Sequence, residues 1–394
     1  MNLSAPRLPA NAQEILDRRP LFAKRLAEAK KEPLPLQLAW YPYDTMASID
    51  HITPFLQQHF SEFERAFRSG PVLDIGCADG DMPFFFASLG CEVTAADNRR
   101  SNHNWMAGIR TLRDRLNLPI QIHELDADTA TQLPGDTFGL AFSLGVLYHL
   151  KNPYLALETL ANQARYCVLS TRVADVTKSG VPIKDEPLAY LLDHRETNDD
   201  PSNYWIFSPT GLERTVKRSG WRIIDQLTRG CTQSSNPTDL DKDARRFLFM
   251  RSRRLSAPAR IRLLEGWTEV TELEWAWTLK RFSFEVTLLD ATRPPNFSLQ
   301  FVIPEVVAAA ASPVVKMSCA INGQPVGSQT YSGLHEKYYE ADLPSGIDYS
   351  KPIYFEFTVD HSFKPVGDAR ELGVIVPFDG AVRGTSEKFN FWLD

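Results

Sequence analysis

The chain has 394 residues, 43% of them apolar and 23% charged, which excludes a disordered or collagen-like chain and is long enough for two or three domains. Its 43 basic and 49 acidic side chains give a net charge of −6, which disfavours a dedicated nucleic-acid binder. The N-terminal stretch MNLSAPRLPANAQEILDRRP lacks the apolar core of a signal peptide, and the longest apolar run, Phe301 to Val315, is broken by Pro304, Glu305 and Pro313, so no membrane span is expected.

Residues 14–31 have the spacing of an amphipathic helix that stops before Pro33. The aromatic stretch LAWYPYDTMAS (Leu38 to Ser48) follows, and then a helix running to Phe67. After Gly70 short apolar runs alternate with helical segments: PVLDIGC, CEVTAAD, IQIHELD, FGLAFSLG and YCVLSTR. That alternation predicts an α/β fold with a doubly wound, mostly parallel sheet. WRIIDQLT and RRFLFMRSR supply its last two strands.

Past Ser256 the pattern changes. FSFEVTLLD, FSLQFVIP, VVKMSCAING and PIYFEFTVD are separated by Pro, Gly and Asn, and Asn322-Gly323 signals a hairpin. A C-terminal β-sandwich or jelly roll is expected. Three divisions result: residues 1–69 as N-terminal helices and a cap, 70–255 as the α/β domain, and 256–394 as an accessory β domain. This last part holds 12 basic and 18 acidic residues against 31 of each before it, so it carries the whole net charge. Trp267, Trp275 and Trp277, near its start, are expected to pack in its core, with docking on the first domain as the alternative.

The five cysteines, Cys77, Cys91, Cys167, Cys231 and Cys319, are odd in number and lack metal-ligand spacing. They read as reduced thiols of a cytoplasmic protein, with no metal site.

VLDIGCADG (Val72 to Gly80) turns a strand sharply into a helix. Gly76 and Gly80 supply free φ and let a ligand approach the backbone. The spacing is neither a dinucleotide fingerprint nor a phosphate-binding Gly-Lys-Ser/Thr loop. The next strand ends at Asp97, placed to accept from both ribose hydroxyls. The third ends at Asp126, placed beside an adenine amino group, and the fourth leads to Tyr148 and His149 at the carboxyl edge of the sheet. Each element alone has an ordinary structural explanation. In this order on consecutive strands they describe a nucleoside site.

These residues resemble the class I S-adenosylmethionine-dependent methyltransferases over roughly residues 35–255. FSLGVLYHLKNP, NYWIFSPTGLERTVKRSGW and the aromatic LAWYPYDTMAS are more closely similar to segments of the transfer-RNA wobble-uridine carboxymethyltransferase family. The resemblance implies S-adenosylmethionine as cofactor. Asp74, Gly76 and Gly80 would line its methionine part, Asp97 would hold its ribose and Asp126 its adenine, with Cys77, Ala78, Asn98, Ala127, Ser143 and Leu144 also expected at the cofactor. In the carboxymethyl family a lysine, a tyrosine and an arginine hold an extra cofactor carboxylate. Tyr148 matches the tyrosine, and Arg245 or Arg246 stands where the arginine is sought. LAWYPYDTMAS contains no lysine, so ordinary S-adenosylmethionine is expected.

His149 is the candidate general base, with capping of the next helix as its alternative, and Tyr148 the candidate wall of the methyl end. Tyr41, Tyr43, Tyr204 and Trp205 are candidates to cover the acceptor, His51 is a weaker base, and Arg99-Arg100 reads as a solvated pair. The expected reaction is methyl transfer to a hydroxyl or other nucleophile of a small-molecule or carbohydrate acceptor. GDARELGVIVPF, near the C-terminus, resembles β domains appended to glycan-assembly enzymes. Two alternatives stay open. One is a transfer-RNA modifier using the basic clusters Arg18-Arg19, Lys24-Arg25, Lys30-Lys31 and Arg251-Arg253-Arg254. The other is a non-catalytic binding protein on the same fold. A homo-oligomer is compatible with all three.

Overall fold

The computed structural model describes residues 7–255, 257, 259–269, 275–289, 294, 296–310, 314–334, 336–378 and 391–393. Met1 to Pro6 of the N-terminal stretch and Ala311, Ser312 and Pro313 of the apolar run lie outside the described residues. The chain folds as two compact units, Met1–Leu255 and Ser256–Asp394.

The first unit opens with α1 (Ala12–Ala29), α2 (Ser48–Gln58) and α3 (Phe60–Ser69). The α1 start is fixed by a reciprocal cap: Asn11 accepts from the Glu14 N–H, and the Glu14 carboxylate accepts from the Ala10 N–H, both at 2.9 Å. The helix expected to reach Phe67 unbroken is instead two helices. His59 leaves helical geometry (φ −125°, ψ 36°), and its ring nitrogen lies 3.0 Å from Asp225.

The sheet strands and their helices follow: β1 (Val72–Ile75), α4 (Asp81–Ser88), β2 (Val93–Asp97), α5 (Ala107–Leu116), β3 (Gln121–Glu124), β4 (Phe138–Leu144), α6 (Pro153–Gln163) and β5 (Ala164–Val173). A small hairpin of β6 (Ala189–Leu191) and β7 (Trp205–Phe207) comes next, then α7 (Pro209–Arg218), β8 (Trp221–Gly230) and β9 (Ala244–Ser252). The main order is β3-β2-β1-β4-β5-β9-β8. β1 to β5 run parallel, and β9 is antiparallel to both β5 and β8. The order reverses between β1 and β4, where open α/β sheets bind ligands beyond the strand ends.

Both sheet faces are buried, as a parallel sheet requires. Phe142, Val168, Phe247 and Phe249 share one cluster with Phe22, Phe55 and Phe63 of the N-terminal helices. Their neighbours Ala141, Leu169, Leu248 and Met250 share another with Leu157, Leu160 and Leu212. The period-2 alternation of strand side chains sorts these residues to opposite faces.

The second unit contains β10 (Ala259–Leu263), β11 (Trp275–Leu279), β12 (Arg281–Leu288), β13 (Asn296–Val302), a one-and-a-half-turn helix α8 (Glu305–Ala310), β14 (Val315–Ile321), β15 (Gln324–Tyr331), β16 (Glu336–Asp342), β17 (Ile353–Val359), β18 (Leu372–Pro377) and β19 (Phe391–Leu393). They form two antiparallel sheets, β10-β12-β17-β14-β15 and β11-β18-β13-β16, with β19 on β13. Phe282, Phe284, Phe355 and Phe357 of the first sheet share one core with Phe297, Leu299 and Val374 of the second. Asn322 (φ 50°) and Gly323 (φ 78°) join β14 to β15 with Ile321 opposite Gln324, the geometry of a two-residue type I′ hairpin. Trp267 and Trp277 pack against this core, and the Trp267 indole donates to Ser283 O at 2.8 Å.

No helix among the described residues is long and apolar enough to cross a membrane, and none of their His, Cys, Asp and Glu residues group to hold a metal ion. Four of the cysteines are buried, and Cys231 is partly exposed.

Candidate active site

The chain leaves β1 through a turn in which every second residue has positive φ: Gly76 at 73°, Ala78 at 50° and Gly80 at 88°. At Gly76 a Cβ would sit 2.4 Å from Val146 Cγ2, so the turn and the end of β4 approach too closely for any side chain. Gly80 is the N-cap of α4. Cys77 between them is buried, which pushes its thiol well above the ordinary range.

Asp97 ends β2 beside this turn. Its Oδ2 accepts from the Ala78 N–H and from Asn102 Nδ2, both at 2.9 Å, so its carboxylate is oriented by the glycine turn itself. Burial raises its pKa, and those hydrogen bonds pull it back. Asp74, buried in β1, is raised well above the ordinary range by burial, with the Asp97 charge adding to it. Asn98 accepts from the Arg100 N–H at 3.0 Å, and Arg99 and Arg100 are exposed.

Asp126 follows β3, is exposed, and its Oδ1 caps a turn by accepting from the Asp128 N–H at 3.1 Å. Ala127 and Ser143 line an apolar cavity with Ile75, Val146, Leu147 and Leu150. Leu144 lies on the opposite face of the sheet, packed on the N-terminal helices' cluster. An acidic strand tip, a close-approach turn and an apolar slot are what an adenosyl group needs for its ribose hydroxyls, its polar tail and its purine. The residues present fit that group.

β4 ends at Gly145, and a 3-10 turn over Leu147–His149 presents Tyr148 and His149. The Tyr148 hydroxyl lies 3.5 Å from both terminal nitrogens of Arg245, whose guanidinium carbon is 5.5 Å from the tyrosine ring centre. His149 stacks against Tyr148 with ring centres 4.2 Å apart. Its Nδ1 faces Ser202 Oγ at 3.0 Å and Ser202 O at 3.3 Å, and that Oγ donates to Asp200 at 2.7 Å. A carbonyl oxygen only accepts, and this hydroxyl has given its proton to Asp200. Nδ1 therefore carries the hydrogen, and Nε2 holds the lone pair. Burial lowers the His149 pKa from 6.5; Asp200 and the Ser202 carbonyl oppose this, and Arg245 reinforces it.

The segment before α2 carries Tyr41 and Tyr43, with ring centres 5.4 Å apart. Tyr43 is 70% exposed, whereas Tyr41 is partly buried. Burial raises the Tyr41 hydroxyl pKa; Tyr148, Tyr43 and Asp97 add to the rise and Arg245 opposes it, which puts this hydroxyl within the field of both the β2 and β4 ends. Tyr204 donates its N–H to Tyr148 O at 2.8 Å, while its ring sits 5.7 Å from Lys151 Nζ. Trp205 packs on the α6 side of the sheet and donates to Lys151 O, so the structure gives it a packing contact.

Several residues of this arrangement went unread in the sequence. Asp79, 2% exposed, accepts from Tyr41 N–H and from Asn104 Nδ2, both at 2.7 Å. Ser202 likewise acts through a distant partner, His149, while Asn102 and Asp200 act through near neighbours, Asp97 and Ser202. Only the doubled acid in ADGD hinted at Asp79.

Residues 49–226 match a family model described as a methyltransferase domain. No curated protein matches the chain significantly. Similar solved structures include the N-terminal domain of EvdMO1 with SAH bound, 17% identical, with 60% of this chain and 98% of that chain covered and a TM-score of 0.36. The PH0226 protein from Pyrococcus horikoshii is 13% identical, covering 52% and 90%, with a TM-score of 0.37. An S-adenosylmethionine-dependent methyltransferase from Clostridium acetobutylicum is 12% identical, covering 54% and 93%, with a TM-score of 0.36. Through residues 49–226 the chain carries a class I methyltransferase domain, and it is an S-adenosylmethionine-dependent enzyme with additional β-sheets after that domain.

Proposed function

We propose that the enzyme methylates an oxygen or comparable nucleophile of a small-molecule or glycan-type acceptor, held beside Tyr148 and His149 beneath Tyr41. Bound in the cleft, the cofactor supplies an electrophilic methyl group on a sulfonium. The chain's own residues do the rest. Asp97 accepts from the ribose hydroxyls, Gly76 and Gly80 admit the polar tail, and Ala127 and Ser143 flank the purine. Asp74, Cys77, Ala78, Asn98 and Asp126 shape the surrounding walls, whereas Leu144 packs on the other face toward the N-terminal helices. Tyr41 excludes water from above, with Tyr43 at the rim.

The observation that carries the acceptor chemistry is the His149–Ser202–Asp200 chain. It fixes the Nδ1–H tautomer, and burial holds the ring's pKa below that of a free imidazole, which suits Nε2 as a base taking a hydroxyl proton as the new bond forms. Tyr148 supplies a wall and a hydrogen-bond donor beside it.

The transfer-RNA reading gains no support from the basic clusters. Arg18 pairs with Glu14 and Arg19 with Asp50 at 2.7 Å. Lys30 pairs with Asp81 at 2.7 Å, and Arg25 donates to Leu116 O. Paired cations offer little to a phosphate backbone.

Calorimetric titration of S-adenosylhomocysteine into the full chain tests the donor site. Labelled methyl transfer to hydroxyl-bearing sugars and to transfer RNA, in parallel, tests the acceptor. Labelling of transfer RNA alone would reverse the assignment.

A further inference from the structure

Three arginines stand side by side on one face of the sheet. The register of β5, β9 and β8 puts Arg172 directly opposite Arg245, and Arg245 directly opposite Arg229. Directly opposed residues project to the same face, with neighbouring strands about 5 Å apart. Phe247, two residues on from Arg245 and therefore on that same face, packs against His51 of α2 with ring centres 5.1 Å apart. The row thus lies on the side of the N-terminal helices, at the end of β5 nearest Tyr148.

Like charges directly across a strand pair destabilise a sheet, so the counter-charges matter. Asp243 receives Arg172 Nε at 2.5 Å and lies 3.5 Å from Arg245 Nε. Asp50, on α2, is taken by Arg19. Among the described residues Arg229 makes no ion pair, and Arg172, only 3% exposed, has a buried Nη1 without a hydrogen-bond partner. One carboxylate therefore meets two of the three guanidinium groups, and the third, on Arg229, is exposed. The opposite face differs: Arg246 there lies in the field of both Glu213 and Asp175.

The excess positive charge sits where the acceptor is placed. Both terminal nitrogens of Arg245 approach the Tyr148 hydroxyl, and a Cβ on Gly145 would lie 3.4 Å from one of them. Burial, Arg229 and Arg245 lower the His51 pKa against the opposing charge of Asp50, so its ring takes up a proton less readily than a free imidazole. We propose that the methyl acceptor carries an oxyanion, a carboxylate or a phosphate, which seats on Arg245 and Arg229 beside Tyr148, with Arg172 reinforcing the field behind them. A planar guanidinium binds either group through two parallel hydrogen bonds, and both are worth more in a partly desolvated cleft. The proposal rests on the methyl-transfer reading of the same cleft and adds the acceptor's charge.

The test is calorimetry on the full chain saturated with S-adenosylhomocysteine, using glucuronate, glucose 1-phosphate and glucose as probes at low ionic strength. At least one charged sugar binds ten times more tightly than glucose, and which one separates carboxylate from phosphate. In Arg245→Met and Arg229→Met that preference falls at least tenfold, while S-adenosylhomocysteine affinity and the melting temperature hold. Equal binding of all three sugars, or binding of none to the S-adenosylhomocysteine complex, overturns the proposal. So does a loss of S-adenosylhomocysteine affinity in Arg245→Met as large as the loss of anion affinity, which would assign the arginine to the cofactor. Failure of the wild-type chain to bind S-adenosylhomocysteine is a separate result that removes the donor-site reading itself.

Discussion

The backbone N–H of Tyr41 donates to Asp79 Oδ2 at 2.7 Å, which fastens the segment over the cleft to the glycine turn beneath it. The same carboxylate accepts from Asn104 Nδ2, and that nitrogen also reaches Ala39 O at 3.2 Å. Trp40, between the two, lies 5.5 Å from Lys30 Nζ and 5.7 Å from the Arg115 guanidinium. Asp79→Ala leaves the Tyr41 and Asn104 donors without that acceptor. At about 1–3 kcal/mol for each unsatisfied buried group, the variant loses roughly 2–4 kcal/mol. Denaturant unfolding reads the loss, and hydrogen exchange at the Tyr41 amide accelerates selectively. Unchanged exchange there would show that the segment is held by its aromatic packing alone.

Asp97 is the acidic strand tip proposed to hold a ribose, and its orientation comes from the Ala78 N–H and Asn102. Hydrogen bonds to a charged group contribute about 1.5–3 kcal/mol. Asp97→Ala is expected to weaken S-adenosylhomocysteine binding at least tenfold, measured by calorimetry. Asn102→Ala, which removes one orienting donor and leaves the carboxylate, is expected to have a smaller effect of the same sign.

Gly76→Ala combines two penalties that can be separated. The φ of 73° strains any residue with a Cβ, at about 1–3 kcal/mol, and the new methyl would meet Val146 Cγ2 at 2.4 Å. Val146→Ala removes the second penalty and keeps the first. The double variant is therefore expected to be more stable than the sum of the single effects predicts, by about 0.5–3 kcal/mol of coupling. Strict additivity in denaturant melts would mean that the turn shifts away from β4 to make room.

What the sequence disclosed was local or periodic. The alternation of strand and helix, the turn after Ile75 and the tip at Asp97 are set by neighbours a few residues apart. So is the Asn322-Gly323 hairpin, because two consecutive positive φ angles select those residue types. The break at His59 was hidden because the partner its ring meets there, Asp225, lies 166 residues away. The Asp79–Tyr41 fastening spans 38 residues and the His149–Ser202 contact 53, each between irregular segments with no period to betray them. The arginine row needs the register of β5, β9 and β8, which only sheet pairing defines. The β6–β7 hairpin joins the sheet by a single pair, Val173 opposite Phe207, and its short strands carry little pattern.

The His149 assignment makes a prediction in pH. The buried ring binds a proton less readily than a free imidazole with its pKa of 6.5. Between the folded value and 6.5 the unfolded chain holds more protons, so stability rises with pH in that window. This contribution is complete above 6.5 and is lost as the pH falls toward the folded value. His149→Gln is expected to flatten that part of the stability profile, read by denaturant melts at successive pH values. Asp200 works in the opposite direction, since its charge favours the imidazolium. Removing that charge in Asp200→Asn lowers the His149 pKa further, and the imidazole resonances in an NMR titration move to lower pH. The same shift carries the acid limb of methyl transfer with it, because a base is active only when Nε2 is unprotonated. A His149 pKa unmoved by Asp200→Asn would disconnect the serine relay from the ring. A transfer rate in His149→Gln within tenfold of wild type would leave His149 as a capping residue, since general base catalysis contributes about 10²–10⁴ in rate.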